Sequence, residues 1–381
     1  MKILSIETSC DETALAILEA DGGISMPKFK VLSSALNSQI DIHKEYGGVF
    51  PSMAKREHAN NFPQLLSEVF NNLKEEENIL NEETKSKTIE ILSREEGLFE
   101  KLITYIETHE KPNIDLIVVT SGPGLEPALW VGINAARALS LMWNIPLLPV
   151  NHMEGHITSV LLAPDVDVEF PAVSLLISGG HTELIKISKW GEYEILGRTL
   201  DDAIGEAYDK VARLLDIPYP GGPEVSMRAD KLRKLGSKPE FDFPRPMLHS
   251  KDLNFSFSGI KTSVLYKTKE LGELNEDTKD QIAFSFEEAV VEVITKKTKD
   301  AIDIVGAKSL IVGGGVITNK YIREKLQEVC EENGIKLYLP EKDLSTDNAI
   351  MIGAAGYLKS QRMKGEINPD IKADGNWRVD A

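Results

Sequence analysis

Cysteine is nearly absent. Only Cys10 and Cys330 occur in 381 residues. That excludes a disulfide framework, and their very different contexts fit reduced thiols in a cytoplasmic chain. Long hydrophobic runs are missing too. No apolar stretch approaches the ~20 residues of a membrane helix, so no membrane partner is expected. The opening residues, Met1-Lys2-Ile3-Leu4-Ser5-Ile6-Glu7, put an acid where a signal peptide would continue its apolar stretch, so no export signal is expected. Positive charge is short: 43 Lys and Arg face 60 Asp and Glu, a net charge of −17. Alone this argues against nucleic acid, whose phosphates need Lys and Arg. Any such contact must come from a local basic patch or a partner subunit. The chain also lacks the Gly-x-x-x-x-Gly-Lys-Ser/Thr loop, which excludes a P-loop enzyme. Gly122-Pro123-Gly124 lacks the spaced third glycine of a dinucleotide site.

What is present is a globular composition, 42% hydrophobic, at a length that fits two domains. Two layouts recur. Ile3 to Leu18 reads strand, polar turn, strand, and Ala172 to Ile187 repeats it around Ser178-Gly179-Gly180-His181. Asp115 to Gly124 is a strand running into a glycine turn, and so is Leu310 to Val316. The same order occurring twice predicts a duplicated α/β fold, two related domains around a cleft. The expected division is an N-terminal domain over 1–150, a C-terminal domain over 151–365 and a fraying tail over 366–381. Asn71 to Lys111 is rich in Glu, Lys and Asn and predicts exposed helices of a solvated insertion, with a polar break near Asn81.

Histidine is also scarce, seven in all, yet two fall in the hexapeptide Asn151-His152-Met153-Glu154-Gly155-His156. An apolar strand precedes it, and Asn151 predicts a helix cap. Residues four apart share a helix face, so His152 and His156 can grip one metal ion. Spacing alone does not fix a third ligand; Asp347, beside an apolar helix start, is a candidate. The zinc-protease pattern needs Glu directly after the first His. Here Glu154 comes two residues after His152 and points off the ligand face.

Three glycine turns, Ser178-Gly179-Gly180, Pro220-Gly221-Gly222-Pro223 and Gly313-Gly314-Gly315, let backbone N–H groups approach an anion. Together they predict a nucleotide cleft, although each is weak alone. Asp11, Glu12, Asp201, Asp202, Glu206 and Asp209 lie near these turns. Asp202, Glu206 and Asp209 have helical spacing and are expected to share a face. Arg228 to Lys238 is the most basic stretch, either a nucleic-acid patch or an ordinary solvated helix.

These motifs together resemble the tRNA adenosine N6-threonylcarbamoyltransferases, once described as O-sialoglycoprotein endopeptidases. The residues that carry the resemblance are Glu7 to Thr13, Tyr46-Gly47-Gly48-Val49, Gly122 to Leu125, Asn151 to His156, Ser178 to Thr182, Pro220 to Pro223, Phe255 to Gly259 with Lys261, and Ser345 to Asn348. Tyr46 to His58, ending Ala54-Lys55-Arg56-Glu57-His58, is similar to the bacterial branch. The resemblance implies the actin/Hsp70/sugar-kinase (ASKHA) fold and a metal held by His152, His156 and Asp347: iron, with zinc or magnesium as alternatives. It implies that Leu176, Ile177, Ser178, Gly179, Gly180, Asp209, Gly222 and Asn319 hold threonylcarbamoyl-AMP. It also implies tRNA as acceptor and, as partners, an actin-like paralogue and a small ATPase. Pro127 stands where the family has glycine, and the 71–111 segment is longer than in most members.

The implied reaction is acyl transfer to N6 of the adenosine next to the anticodon in tRNAs reading ANN codons, releasing AMP. Asp11 is expected to steer or deprotonate the amine, with Glu12 as the alternative. The rivals are an ATPase on the same fold, a metalloprotease-like hydrolase and a non-catalytic scaffold. His152 with His156 argues against the first, the position of Glu154 against the second, and retention of Asp11, His152, His156 and Asp347 against the third.

Overall fold

The computed structural model describes residues 1–71, 75–76, 82–164, 166–363 and 371–381. The chain forms two compact units. One comprises Met1–Val166, Thr346–Val379 and Ala381; the other comprises Asp167–Ser345 and Asp380. Packing, and not chain order, sets this division. The expected boundaries at 150 and 365 would separate the segment after Ser345 from the unit it packs with.

The first unit contains β1 (Lys2–Glu7), β2 (Glu12–Asp21), β3 (Lys28–Ser38), β4 (Glu75–Glu76), β5 (Lys111–Pro112), β6 (Leu116–Gly122) and β7 (Leu147–Asn151). Its helices are α1 (Ile40–Lys44), α2 (Pro51–Phe70), α3 (Glu82–Leu92), α4 (Phe99–Thr108), α5 (Glu126–Trp143) and α6 (His152–Thr158). The second unit holds β8 (Ala172–Ile177), β9 (Thr182–Lys189), β10 (Glu192–Arg198), β11 (Ser309–Gly313) and β12 (Lys336–Tyr338). With them are α7 (Ile204–Leu214), α8 (Gly222–Lys234), α9 (Ser258–Leu271), α10 (Glu276–Val305) and α11 (Lys320–Asn333). The last helix, α12 (Ala349–Arg362), belongs to the first unit.

The main sheets run β3-β2-β1-β6-β7 and β10-β9-β8-β11-β12. In each, the first three strands pair antiparallel and the last two join in parallel. The duplicated α/β order read from the sequence is therefore the observed topology. Parallel neighbours require crossovers, and α5 and α11 follow the glycine turns that end β6 and β11. The central strands β1, β6, β8 and β11 are buried almost throughout, which is why they read as continuous apolar runs. Leu4 and Ile6 of β1 join α2, α4 and α5 in one core, while α12 packs against β1 and β2.

Two sequence expectations are corrected. The 82–108 helices are not a merely solvated insertion. Leu92, Leu98, Leu102 and Ile106 are buried in the first unit's core, because α4 carries a strong apolar stripe. The expected break near Asn81 lies outside the described residues. The tail is not simply frayed where it is described: Ile371 is buried, Asp374 N–H donates to Ser121 O (2.9 Å), and Asn151 Nδ2 donates to Trp377 O (3.0 Å). No helix among the described residues is long and apolar enough to cross a membrane.

Candidate metal centre and nucleotide pocket

The metal-type site of the first unit is built by two helix starts. Asn151 caps α6, its Oδ1 accepting from Met153 N–H (2.9 Å) and Glu154 N–H (3.3 Å). Asn348 caps α12, accepting from Met351 N–H at 2.9 Å. Gly155 lets these helices meet closely: a Cβ there would stand 2.9 Å from Ile352 Cδ1. That approach sets Asp347, the residue before the cap, against the ligand face of α6. His152 Nε2 lies 3.3 Å and His156 Nε2 3.1 Å from the same Asp347 Oδ1. Ligand atoms of the three residues lie within 4.8 Å of one another.

The donor set fits a divalent cation. Two imidazole nitrogens converge on one carboxylate oxygen, and a cation among them would satisfy all three lone pairs. His156 Nδ1 is buried without a hydrogen-bond partner among the described residues, so the ring's only polar engagement there is on its ligand side. Behind His152 stands Glu7, whose Oε2 lies 3.0 Å from Nδ1. Thr120 Oγ1 donates to the same Glu7 oxygen at 2.6 Å, and Ser9 N–H donates to Glu7 Oε1. A carboxylate on Nδ1 keeps the proton there and leaves Nε2 as the ligand atom. Burial opposes charge on all three groups. The Asp347 and Glu7 carboxylates nonetheless outweigh it and lift His152 well above its ordinary pKa, and the histidines hold Asp347 well below the carboxylate range. Glu7 was missed in the sequence as a supporting group. Strand alternation alone did not show that its carboxylate turns toward a helix 145 residues away.

Glu154 is not a general base for this centre. Its Oε1 accepts from Arg362 Nη2 at 2.7 Å, and it is buried there. Asp11 is buried in the β1–β2 turn, and Glu12 is half-buried at the start of β2. Burial, together with the charges of Asp347, Asp11 and Glu7, pushes the Glu12 carboxyl up to about 10. A bound cation would oppose that repulsion and draw it back down.

The second unit holds a cavity of ≈ 430 Å³ lined by Gly179, Tyr208, Asp209, Gly222, Gly315 and Asn319, among others. All three glycine turns of the unit serve it. Gly314 has φ +91°, and a Cβ there would stand 2.4 Å from Ile177 O, so only glycine brings this turn against β8. Asp209 Oδ1 accepts from Gly221 N–H (2.8 Å) and Gly222 N–H (3.3 Å), which fixes the Pro220–Pro223 turn. Burial raises the Asp209 pKa. Asn319 caps α11 through Oδ1 (3.1 Å to Ile322 N), while its Nδ2 donates to Ser226 Oγ (2.6 Å) and Glu287 Oε1 (2.7 Å).

Other expected residues are placed differently. Leu176 and Ile177 are buried within β8 and support the turn. Ser178 Oγ accepts from His181 N–H at 3.1 Å, and neither Ser178 nor Gly180 lines the cavity. The expected common face of Asp202, Glu206 and Asp209 is not formed as such, because α7 begins only at Ile204. Asp202 and Glu206 pair with Lys210 (2.7 and 2.8 Å), and only Asp209 reaches the glycine turn. Asp201 instead organises the Phe255–Gly259 motif, accepting from Ser256 Oγ and Ser258 Oγ at 2.6 Å each and from Phe257 N–H at 2.8 Å.

The basic stretch is largely neutralised. Arg228 pairs with Glu224, Glu276 and Asp280, Lys231 with Asp280, and Lys234 with Asp230. Arg233 is an inner wall of the cavity. It donates to Glu287 (2.8 Å) and Glu288 (3.0 Å) and lies 3.4 Å over the Tyr321 ring. Lys238 is exposed and has no ion pair among the described residues.

The family model described as tRNA N6-adenosine threonylcarbamoyltransferase matches residues 30–80 and 96–354. The chain belongs to that family. A threonylcarbamoyltransferase of Thermosipho africanus is 44% identical over 358 residues, covering 94% of each chain. That of Dictyoglomus turgidum is 44% identical over 377 residues, 97% of this chain and 98% of its own. That of Staphylococcus haemolyticus is 40% identical over 378 residues, 97% and 96%. Membership makes this chain a tRNA-modifying acyltransferase, and it bears out neither the ATPase nor the hydrolase reading. Residues 81–95 fall outside the family match, and all of α3 lies there.

The fold is also that of HypF. The T. kodakarensis HypF structure aligns with TM-score 0.51 at 16% identity, over 69% of this chain and 43% of that one. Full-length HypF in its phosphate- and nucleotide-bound form aligns with TM-score 0.52 at 13% identity, over 96% and 47%. The threonylcarbamoyltransferase chain thus spans less than half of those HypF chains, and the likeness concerns the fold alone.

Proposed function

We propose that the chain transfers the threonylcarbamoyl group of threonylcarbamoyl-AMP to N6 of the adenosine beside the anticodon in tRNAs reading ANN codons. The observation that carries this reading is near-full-length identity of 40–44% with threonylcarbamoyltransferases, together with a His152, His156 and Asp347 cluster fit for one cation. The AMP portion of the donor is assigned to the cavity, its phosphate to the glycine amides, with Asp209, Gly222 and Asn319 as the cradle and Leu176 to Gly180 as the supporting strand and turn.

The exocyclic amine attacks the carbamoyl carbon. A C–N bond forms, the carbon–oxygen bond to phosphate breaks, and AMP leaves with the electron pair. The amine's proton passes to Asp11, with Glu12 as the alternative acceptor. His152, His156 and Asp347 are assigned as metal ligands. Two imidazoles and one carboxylate would suit iron, whereas magnesium prefers oxygen ligands and zinc is an alternative. When bound, the ion supplies Lewis-acid stabilisation of negative oxygen.

The net charge of −17 and the neutralised Arg228–Lys238 stretch favour weak tRNA binding by the isolated chain. An actin-like paralogue and a small ATPase are proposed to supply the rest. The test is AMP release from threonylcarbamoyl-AMP, followed by chromatography with and without tRNA. Release that requires tRNA supports transfer; equal release without tRNA identifies a hydrolase and overturns it.

A further inference from the structure

The β1–β2 turn, which carries Asp11 and leads into Glu12 at the start of β2, is held from outside its own hairpin. Ser9 O accepts from Leu125 N–H (2.8 Å), Asp11 O accepts from Gln39 N–H (2.9 Å), and Cys10 O faces His58 Nε2 at 3.0 Å. His58 comes from the middle of α2 and is fully buried. Its other ring nitrogen lies 2.8 Å from Thr13 Oγ1 and 3.3 Å from Gln39 Nε2. A carbonyl can only accept, so Nε2 carries the proton and Nδ1 accepts from the Thr13 hydroxyl and the Gln39 amide. Gln39 is itself buried, with Oε1 at 3.3 Å from His43 Nε2. One ring therefore grips the residue before and the residue after the Asp11-Glu12 pair.

We propose that His58 is a positioning residue for this reaction, an imidazole clip that ties the Cys10 carbonyl before the Asp11-Glu12 dipeptide to the Thr13 side chain after it and so aims the two acids. The inference rests on the assignment of Asp11 or Glu12 as the proton acceptor. Gln39 backs the accepting nitrogen of the clip and ties it to α1 through His43. Burial keeps the ring uncharged, so it adds no cation beside the acids. The motif ending Ala54-Lys55-Arg56-Glu57-His58 acquires a role: His58 reaches the turn, while Lys55 pairs with Glu95 (3.1 Å) and Arg56 with Glu57 (3.4 Å).

The test uses the intact chain with tRNA, threonylcarbamoyl-AMP and partner subunits. Single-turnover rate, donor KM and bound metal are compared for His58→Leu, His58→Gln, Thr13→Val, the Thr13→Val/His58→Leu double variant, Asp11→Asn and Glu12→Gln. Misplacement of a reacting group by an ångström costs about 10²-fold, so His58→Leu should lose rate on that order while donor KM and metal content hold. His58→Gln keeps a donor for Cys10 O and should recover about tenfold of the loss. Thr13→Val should lose less, and nothing further when combined with His58→Leu, since both act through one ring. A merely structural role would instead raise KM and release metal in step with lost rate, without rescue by Gln. A folded His58→Leu protein at the wild-type rate overturns the clip. If that variant does not fold, a wild-type rate in Thr13→Val overturns it. An inactive Asp11→Asn beside an active His58→Leu refutes the clip alone. Normal rates in both Asp11→Asn and Glu12→Gln refute the acid assignment, and the clip falls with it.

Discussion

The Glu7 carboxylate stands 3.0 Å from Nδ1 of His152, on the opposite side of the ring from Asp347. An acid so placed orients a metal-binding imidazole and raises its basicity. Loss of such a partner typically weakens metal affinity 10–100-fold. Glu7→Gln nearly preserves shape while removing the charge. It should bind iron or zinc about 10–100-fold more weakly in competition titrations, with an unchanged circular dichroism spectrum. Asp347→Ala should lose the ion altogether. Full metal content in Asp347→Ala would end the proposed ligation.

His58 makes stability depend on pH. Burial lowers its pKa from 6.5 to about 4 in the folded chain. The unfolded chain therefore takes up a proton between these values that the folded chain refuses. The contribution is fully present above pH 6.5 and is lost as pH falls toward 4, amounting to about 3 kcal/mol in all and about 2 kcal/mol between pH 7 and 5. Urea unfolding at the two pH values should show this loss in the wild type, and His58→Gln should flatten it by about that amount. Equal slopes in both proteins would contradict the buried, neutral ring.

Asp209 shapes the cavity of the second unit through the backbone. Asp209→Ala leaves the Gly221 and Gly222 amides without their acceptor. An unpaired buried amide costs about 1–3 kcal/mol, which sets an expected loss of about tenfold or more in AMP affinity by calorimetry. Bound metal should not change, because no ligand of the ion is touched.

Arg233 separates two uses of positive charge. It is paired with buried Glu287 and stacked on Tyr321, so Arg233→Ala strands a buried carboxylate. Breaking such a pair costs roughly 3 kcal/mol. The variant should lower the melting temperature and AMP affinity while leaving the salt slope of tRNA binding alone. That slope should instead fall by ~1 if Lys238→Glu leaves one phosphate unneutralised. An unchanged melting temperature with a reduced slope in Arg233→Ala would return it to the tRNA surface.

The duplicated sheets were legible because their central strands are buried, largely apolar runs, three of which, β6, β8 and β11, lead into glycine turns. The His152–His156 pair was legible because four-residue spacing is a helical property and histidine is rare here. Asp347 was harder: what brings it to α6 is the close packing allowed at Gly155, a tertiary relation with no period. Glu7 and His58 were legible only as members of motifs, because their partners lie 145 and 48 residues away. The 82–108 helices misled because their charged faces outnumber the apolar stripe that enters the core. The neutralisation of the basic stretch was not legible, because its partners Glu276, Asp280, Glu287 and Glu288 lie on α10, about fifty residues further along the chain.

The most direct test of the account is the nucleoside itself. Unmodified tRNA reading an ANN codon is incubated with threonylcarbamoyl-AMP, the metal-loaded chain and its partner subunits, then digested and analysed by mass spectrometry. The account predicts N6-threonylcarbamoyladenosine at the position beside the anticodon, absent with Asp347→Ala and strongly reduced with Asp11→Asn. Unmodified adenosine from a reaction in which the wild-type chain holds both metal and donor would contradict it.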